Sequence, residues 1–320
     1  MSEDRNLLTD SAAKVFRDLP ADFAQGWARV EDAGFALILV PEADGGFGGG
    51  WQDVDAVLRV GAIAHLPLAE TIVANGFAAG EGPAAICAAA EGELSGGKFS
   101  GVVRAVAFAP QCDRILVQRE REVFFLPRAA ATVVRDYRSL AHEPRADLKF
   151  AQTPARLANR NASVDVLHLG ALARTCQIAG ALEVVLAMTI EHAKTRQQFG
   201  RAIGNFQAIQ QQLAVFASET AAVGAAAASA CRAVDRGLGE FEIASAKLRA
   251  NRAVDIATSA AHQIHGAIGI TAEHALHRYT QHLWAWKSEY GNDRFWAEKL
   301  GGGIADAGAD AFWPALTAQH

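Results

Sequence analysis

Residues 195–214 read TRQQFGRAIGNFQAIQQQLA, and how they are read decides how the C-terminal half of the chain is built. Apolar positions on both sides keep a helical spacing, and the stretch Phe199–Gly204 interrupts it with two glycines. Gly200 is suited to end a helix in the left-handed conformation that other residues resist, and Asn205 to cap the next helix through its side-chain oxygen. The spacing therefore predicts the loop FGRAIG between two helices, with Arg196 in the last turn of the first. A guanidinium in that place has two uses. It can grip a phosphate group through two hydrogen bonds, or it can satisfy the C-terminal carbonyls of its own helix. Spacing alone does not choose between them.

Helical periodicity runs from about residue 162 onward, which predicts three or four long antiparallel helices packed as a bundle. The segment AAVGAAAASA inside it is low in complexity, and its small side chains let two helices approach closely. Upstream the texture changes. Short runs rich in Val, Ile and Phe (VVRAVAF, RILVQ, EVFFLP), separated by turn residues, predict a small β unit. Before them lie amphipathic, alanine-rich stretches broken by Pro41 and by the glycines at 45, 46 and 48–50, which predict helices joined by a tight loop. The expected fold is α+β and mostly α, with an N-terminal helical domain (1–84), a reduced β domain (85–160) and a C-terminal four-helix bundle (161–320).

At 320 residues the chain exceeds the size at which one core stops growing, so several packed units are expected. An apolar content of 51% with 20% charged residues excludes a disordered chain, and a net charge of -5 argues against a nucleic-acid binder. Cys87, Cys112, Cys176 and Cys231 are scattered without paired spacing, which fits reduced thiols and a cytoplasmic protein. The polar start MSEDRNLLTD lacks the order of a secretory signal, and the apolar stretches are short or interrupted by charge, so no membrane span is expected. His262, His265, His274 and His277 cluster near a glycine-rich block. Imidazole is a competent base near neutral pH, but no cysteine or carboxylate grouping accompanies the cluster, so no metal site is expected.

Three ordered blocks carry a family resemblance. The first is Arg196, Phe199, Gly200 and Gln207, an Arg-x-x-Phe-Gly turn with a Gln eight residues after the Phe. The second is HQIHGAIGITAEHALHRYTQ, in which Gln263, Gly266 and Gly269 match a Gln-x-x-Gly-Gly-x-Gly segment, with Ala267 in place of the middle glycine. The third is EDAGFALILVPEADGGFGGGWQDVDAVLRVGAIAHLPLAE, with its Val-Pro-Glu turn, glycine loop and Pro-Leu-Ala-Glu end. Together they resemble the acyl-CoA dehydrogenases. The resemblance implies FAD as cofactor, an acyl-CoA substrate, an electron-transfer flavoprotein as electron acceptor and an oligomeric assembly. Within it, Arg196, Gln198, Phe199, Ile203, Gln207, Gln263, Gly266 and Gly269 would lie against the FAD of a neighbouring subunit.

The chain also departs from that pattern. Where the family has a Thr-Glu-Pro segment and a serine-containing stretch that hold the flavin ring, this sequence has GPAAICAAAEGELSGG. The family's base is a carboxylate that removes the α-proton while a hydride leaves the β-carbon. Its usual Tyr-Glu-Gly corresponds to Ser288, Glu289, Tyr290 and Gly291, one residue out of step, and its alternative position falls on Gly170. Glu289 is thus the candidate base. Such departures resemble the shortened subunits of two-component acyl-CoA dehydrogenases of bacterial steroid side-chain degradation. The expected function is dehydrogenation of an acyl-CoA by an FAD-dependent homo-oligomer or heteromer. The alternative is a non-catalytic partner subunit, and a remoter one is a flavin monooxygenase or nitroalkane oxidase.

Overall fold

The computed structural model describes residues 3–88, 90–158 and 164–317, without the side chains of 3, 315 and 316. Helices α1 (Glu3–Arg17), α2 (Phe23–Asp32), α3 (Trp51–Val60) and α4 (Leu68–Phe77) come first. Eight strands follow: β1 (Ala84–Cys87), β2 (Ala90–Ser95), β3 (Lys98–Ala107), β4 (Arg114–Arg119), β5 (Glu122–Pro127), β6 (Thr132–Arg138), β7 (Pro144–Pro154) and β8 (Arg156–Leu157). The long helix α5 (Val166–Thr195) leads through the short strands β9 (Gln197–Gln198) and β10 (Arg201–Ala202) into α6 (Gln207–Asp235) and α7 (Glu240–His265). The described chain ends with α8 (Leu276–Trp286), α9 (Asp293–Ala307) and α10 (Ala309–Thr317). The boundary read at 160/161 falls outside the described residues.

The strands form two four-stranded sheets, β1-β4-β5-β8 and β2-β3-β7-β6, antiparallel except for the β1/β4 pair. The inward positions of the two sheets share one core around Phe99, Phe124, Leu148 and Phe150. This is the outcome of period-two burial: in β7, Ala146, Leu148 and Phe150 point inward while Lys149 points out.

Helix α5 is the axis of the helical part. Nearly every residue from Val166 to Leu182 is buried, because neighbours cover it on all sides, and that explains its lack of a polar stripe. Small residues make this possible. A Cβ at Gly180 would stand 2.1 Å from the Arg59 carbonyl oxygen, so α3 crosses where only glycine fits. α6 runs back antiparallel, α7 forward again and the shorter α8 back, so the bundle has three long helices and one of 11 residues. Contrary to the sequence reading, α5 and α6 are both long and apolar enough to cross a membrane. Alanine enrichment accounts for this. α5 spends its apolar surface in the core, 72% of its most apolar window being buried, whereas for α6 the share is 28%.

Candidate functional site

The bundle has two chemically different ends. At the first, α5 stops at Thr195, and Arg196 is the residue just past it, extended at φ -71°, ψ 124° rather than in the last helical turn. The predicted loop is a β-hairpin: Gln198 pairs with Arg201 and Gln197 with Ala202, around a two-residue turn at Phe199 and Gly200. Both turn residues have positive φ, +51° and +79°, as the tight primed hairpin turns require. Gly200 thus serves the hairpin rather than a helix end. Asn205 does not cap α6 either. It lies in the single 3-10 turn Ile203–Asn205, and the N-cap residue Phe206 offers no side-chain hydrogen bond.

Two features of this end are left open by the fold. The Arg196 guanidinium is exposed and makes no hydrogen bond or ion pair with the described residues. Phe199 is 91% exposed, although an aromatic residue in the left-handed region costs about 1–2 kcal/mol. The second sequence block arrives beside them. α7 runs parallel to α5, and the His192 and His265 rings stack at 4.4 Å, which brings the C-terminal ends of the two helices together. Gln263 and Gly266 line a groove of about 650 Å³ with Asp255, Thr258, His262 and Trp284. Gln198, Gln207 and Gln263 are exposed, Ile203 is half-buried, and Gly266 caps α7 at φ +65°. Gly269 differs from them. It is buried, and a Cβ there would come within 2.9 Å of His265 and Leu276, so packing explains this glycine.

Three histidines at this end, His192, His262 and His265, are shifted toward the neutral form. The His265 Nδ1–H donates to the Ala261 carbonyl at 2.9 Å, leaving Nε2 as a buried acceptor without a partner. Burial, helped by the nearby His192, His274 and His262, pushes His265 down to about 4. His192 and His262 are lowered as well, also mainly by burial. The unfolded chain therefore binds more protons between pH 6.5 and 4, and stability falls as the pH drops through that window. Urea midpoints should decline from pH 7 to pH 5, and His265→Asn should flatten the decline. An unchanged slope would mean that His265 titrates normally.

At the other end, Glu289 lies on the turn after α8, not on a helix, and both of its carboxylate oxygens are engaged. Oε1 accepts from Arg145 Nη2 at 2.5 Å and Oε2 from Arg174 Nε at 2.8 Å. Arg145 also donates to Glu143 at 2.7 Å, and Arg174 to Gln177 at 2.5 Å and to Glu70. Glu70, Glu143, Arg145 and Arg174 are all buried. The buried Lys247 Nζ donates to Asn251 Oδ1 at 2.5 Å and to the carbonyls of Trp286 and Lys287 at 3.0 and 3.3 Å, tying α7 to the end of α8 and seating the turn. Burial would raise the Glu289 carboxyl, but Arg145 and Arg174 outweigh it, with Lys247 adding to them, and hold it below the usual carboxylate range. Gly170 offers no base: the Tyr290 ring fills its niche, 2.7 Å from where a Cβ would stand.

The two ends are far apart. Arg174 touches Glu289, and Arg196 follows it by 22 residues along one continuous helix, so about 33 Å separates them. Sequence reasoning missed Glu70, Glu143, Arg145, Arg174 and Lys247. One signal was available: Arg174 is the sole Asp, Glu, Lys or Arg between Val166 and Leu182, and a lone charge in an apolar helix needs a buried counter-ion. Asp55, Cys176 and Cys231 also meet within 4.8 Å. Arg59 donates to Asp55 at 2.9 Å; the contact with Cys231, then burial, pushes the Cys176 thiol up, and burial pushes the Cys231 thiol up against the opposing effect of the same contact.

A helical frame around a two-sheet middle, with the motif-bearing end on the bundle, matches the fold of known flavoenzymes. The acyl-CoA dehydrogenase C-terminal domain model matches residues 161–287. Acyl-CoA dehydrogenase IpdE2 of Mycobacterium tuberculosis is 30% identical over 257 residues, covering 78% of this chain and 76% of that protein. The structure of the ChsE4-ChsE5 complex from Mycobacterium tuberculosis superposes with a TM-score of 0.83 at 22% identity, over 97% of this chain and 99% of that one. The Tcur3481-Tcur3483 steroid ACAD G363A variant does so with a TM-score of 0.83 at 21% identity, over 95% and 98%. The chain belongs to the acyl-CoA dehydrogenase family, FAD-dependent oxidoreductases that act on CH–CH groups.

Proposed function

We propose that the chain is a subunit of a heteromeric acyl-CoA dehydrogenase and lends the Arg196 end of its bundle to an FAD seated mainly in another subunit. One observation carries this reading. The unpaired, exposed guanidinium stands about 33 Å from the only motif-supported carboxylate, each of whose oxygens already accepts a hydrogen bond from a guanidinium. One flavin cannot meet both.

FAD, when bound, takes up the hydride that leaves the acyl β-carbon as the α-proton is removed. The residues present fit its diphosphate end. Arg196 has free donors for two phosphate oxygens, and α6 begins beside it with no side-chain cap, so its positive end is open to an anion. The amides of Gln207 and Gln263 supply neutral donors, and Phe199 offers a flat apolar face that excludes water. Gln198 and Ile203 flank the hairpin, and Gly266 keeps its side of the groove free of a side chain. In this reading the α-proton goes to a carboxylate of the other subunit, and Glu289 is a structural anion. The weakly buried α6 supports a multi-subunit assembly, because 29 residues of largely apolar helix call for a cover. The relatives named as a two-chain complex and as a steroid enzyme support a heteromer and a bulky polycyclic acyl group. The onward electron acceptor is proposed to be an electron-transfer flavoprotein.

The test is purification alone and with a co-expressed fuller subunit. A colourless lone chain and a yellow complex that reduces on addition of acyl-CoA are expected. A yellow, autonomously active homo-oligomer would overturn the reading. Arg196→Ala in the complex should cost roughly 1.5–3 kcal/mol of FAD binding, with the bundle still folded. Phe199→Gly should act with opposite signs. Relief of the left-handed strain should stabilise the lone chain by about 1 kcal/mol, while FAD retention by the complex declines; equal signs in both measurements would argue against Phe199 as a contact.

A further inference from the structure

We propose that the open cavity bordered by the first turn of α7 and by α9 and α10 binds a small amphiphile with one anionic end, such as a medium-chain carboxylate. The anion would meet the Lys299 ammonium, and the apolar body would lie against Phe241, Leu300, Ile304 and Phe312. The cavity lies at the opposite end of the bundle from the flavin-facing hairpin, and the inference does not depend on the flavin reading.

The cavity measures about 360 Å³, within the range of small-molecule sites. Its walls are apolar except for Lys299 and Glu240. Lys299 is itself exposed, and its ammonium is held in place through the buried His168 and the half-buried Asp165. An ammonium only donates, so the 2.9 Å contact between Lys299 Nζ and His168 Nε2 makes that nitrogen the acceptor. His168 then carries its proton on Nδ1, which donates to Asp165 Oδ1 at 2.5 Å. His168 is fully buried, and its ring packs edge-on against Trp296 at 5.2 Å. Asp165 is fixed in turn, because it caps α5 by accepting from the His168 backbone N–H. One hydrogen of Lys299 is thus committed and two remain. No described carboxylate forms an ion pair with it, Glu240 included.

A second observation concerns the walls. α9 carries Gly301, Gly302 and Gly303 in its interior, although glycine is the poorest helix former after proline. Gly303 lines the cavity, and a Cβ there would meet nothing within 4 Å. Close packing does not require this glycine, and its effect is to keep the cavity wide. The single acid, Glu240, disfavours a second anionic group, and the otherwise apolar walls match a monoanion with an apolar tail.

The test is calorimetric titration of the full chain, alone and in its complex, with decanoate and with uncharged 1-decanol, both below their aggregation limits. Decanoate should bind at one site per chain. Lys299→Met should weaken decanoate at least tenfold and decanol less than twofold, and Gly303→Leu should abolish both while the thermal midpoint holds or rises. Absence of saturable binding, or decanoate binding indifferent to Gly303→Leu, overturns the site. Equal weakening of the two probes by Lys299→Met overturns the anion assignment and with it the proposal.

Discussion

Replacing Arg174 with methionine is expected to destabilise the chain by about 3–5 kcal/mol, measured as a loss of free energy in urea unfolding. Arg174 is buried to 2% exposure and bonded to Glu70, Gln177 and Glu289 at once. Methionine restores most of the volume and none of the charge, so Glu70 loses its guanidinium and Glu289 one of its two, in a site with little access to water. The loss is therefore the desolvation of the stranded acids rather than the worth of the ion pairs, since a buried pair replaced as a whole is often neutral. That distinction gives a second measurement. Adding Glu70→Gln and Glu289→Gln to Arg174→Met should recover part of the deficit, giving a coupling of opposite sign to the single change. Strict additivity of the three substitutions would show that the network is not a unit.

The legible part of the fold was what local chemistry determines. Short Val-, Ile- and Phe-rich runs became β3, β4 and β5, and the long apolar periods became α5, α6 and α7. The motif residues Arg196, Phe199 and Gln263 can be singled out because their spacing is sequential, and the stacked His192 and His265 rings bring the two blocks to one end of the bundle. The hairpin at Phe199 and Gly200 was misread as a helix end, since a phenylalanine at positive φ runs against its own preference and no propensity points to it. The ion network was hidden for a different reason. Glu289 meets residues 144 and 115 positions away, and pairing at such distances is set by how α4, α5, β7 and the turn after α8 pack, not by neighbouring residues. Glu289 is singled out by its place beside a tyrosine and a glycine, and nothing local in that signal points to its bonds with Arg145 and Arg174.

Glu289→Gln separates those roles. A base must present a lone pair to the substrate α-proton, whereas each Glu289 oxygen already accepts a charge-assisted hydrogen bond. The guanidinium groups also hold its carboxyl below the ordinary range, which makes the anion a weaker base. A carboxyl with a depressed folded pKa contributes stability that is present above the unfolded value of about 4.5 and lost as the pH falls through the folded value. The substitution should therefore lower unfolding free energy at pH 7 by about 3 kcal/mol or more and flatten the acid limb of the stability profile. Turnover per bound flavin in the assembled enzyme should stay within about twofold of the parent. A catalytic base predicts the reverse pattern: kcat lower by about 10²–10⁴ with the acid limb of stability unchanged. The two outcomes share no measurement in which they agree, so stability profiles and flavin-normalised kcat from one preparation decide whether the proton is taken by this chain or by its neighbour.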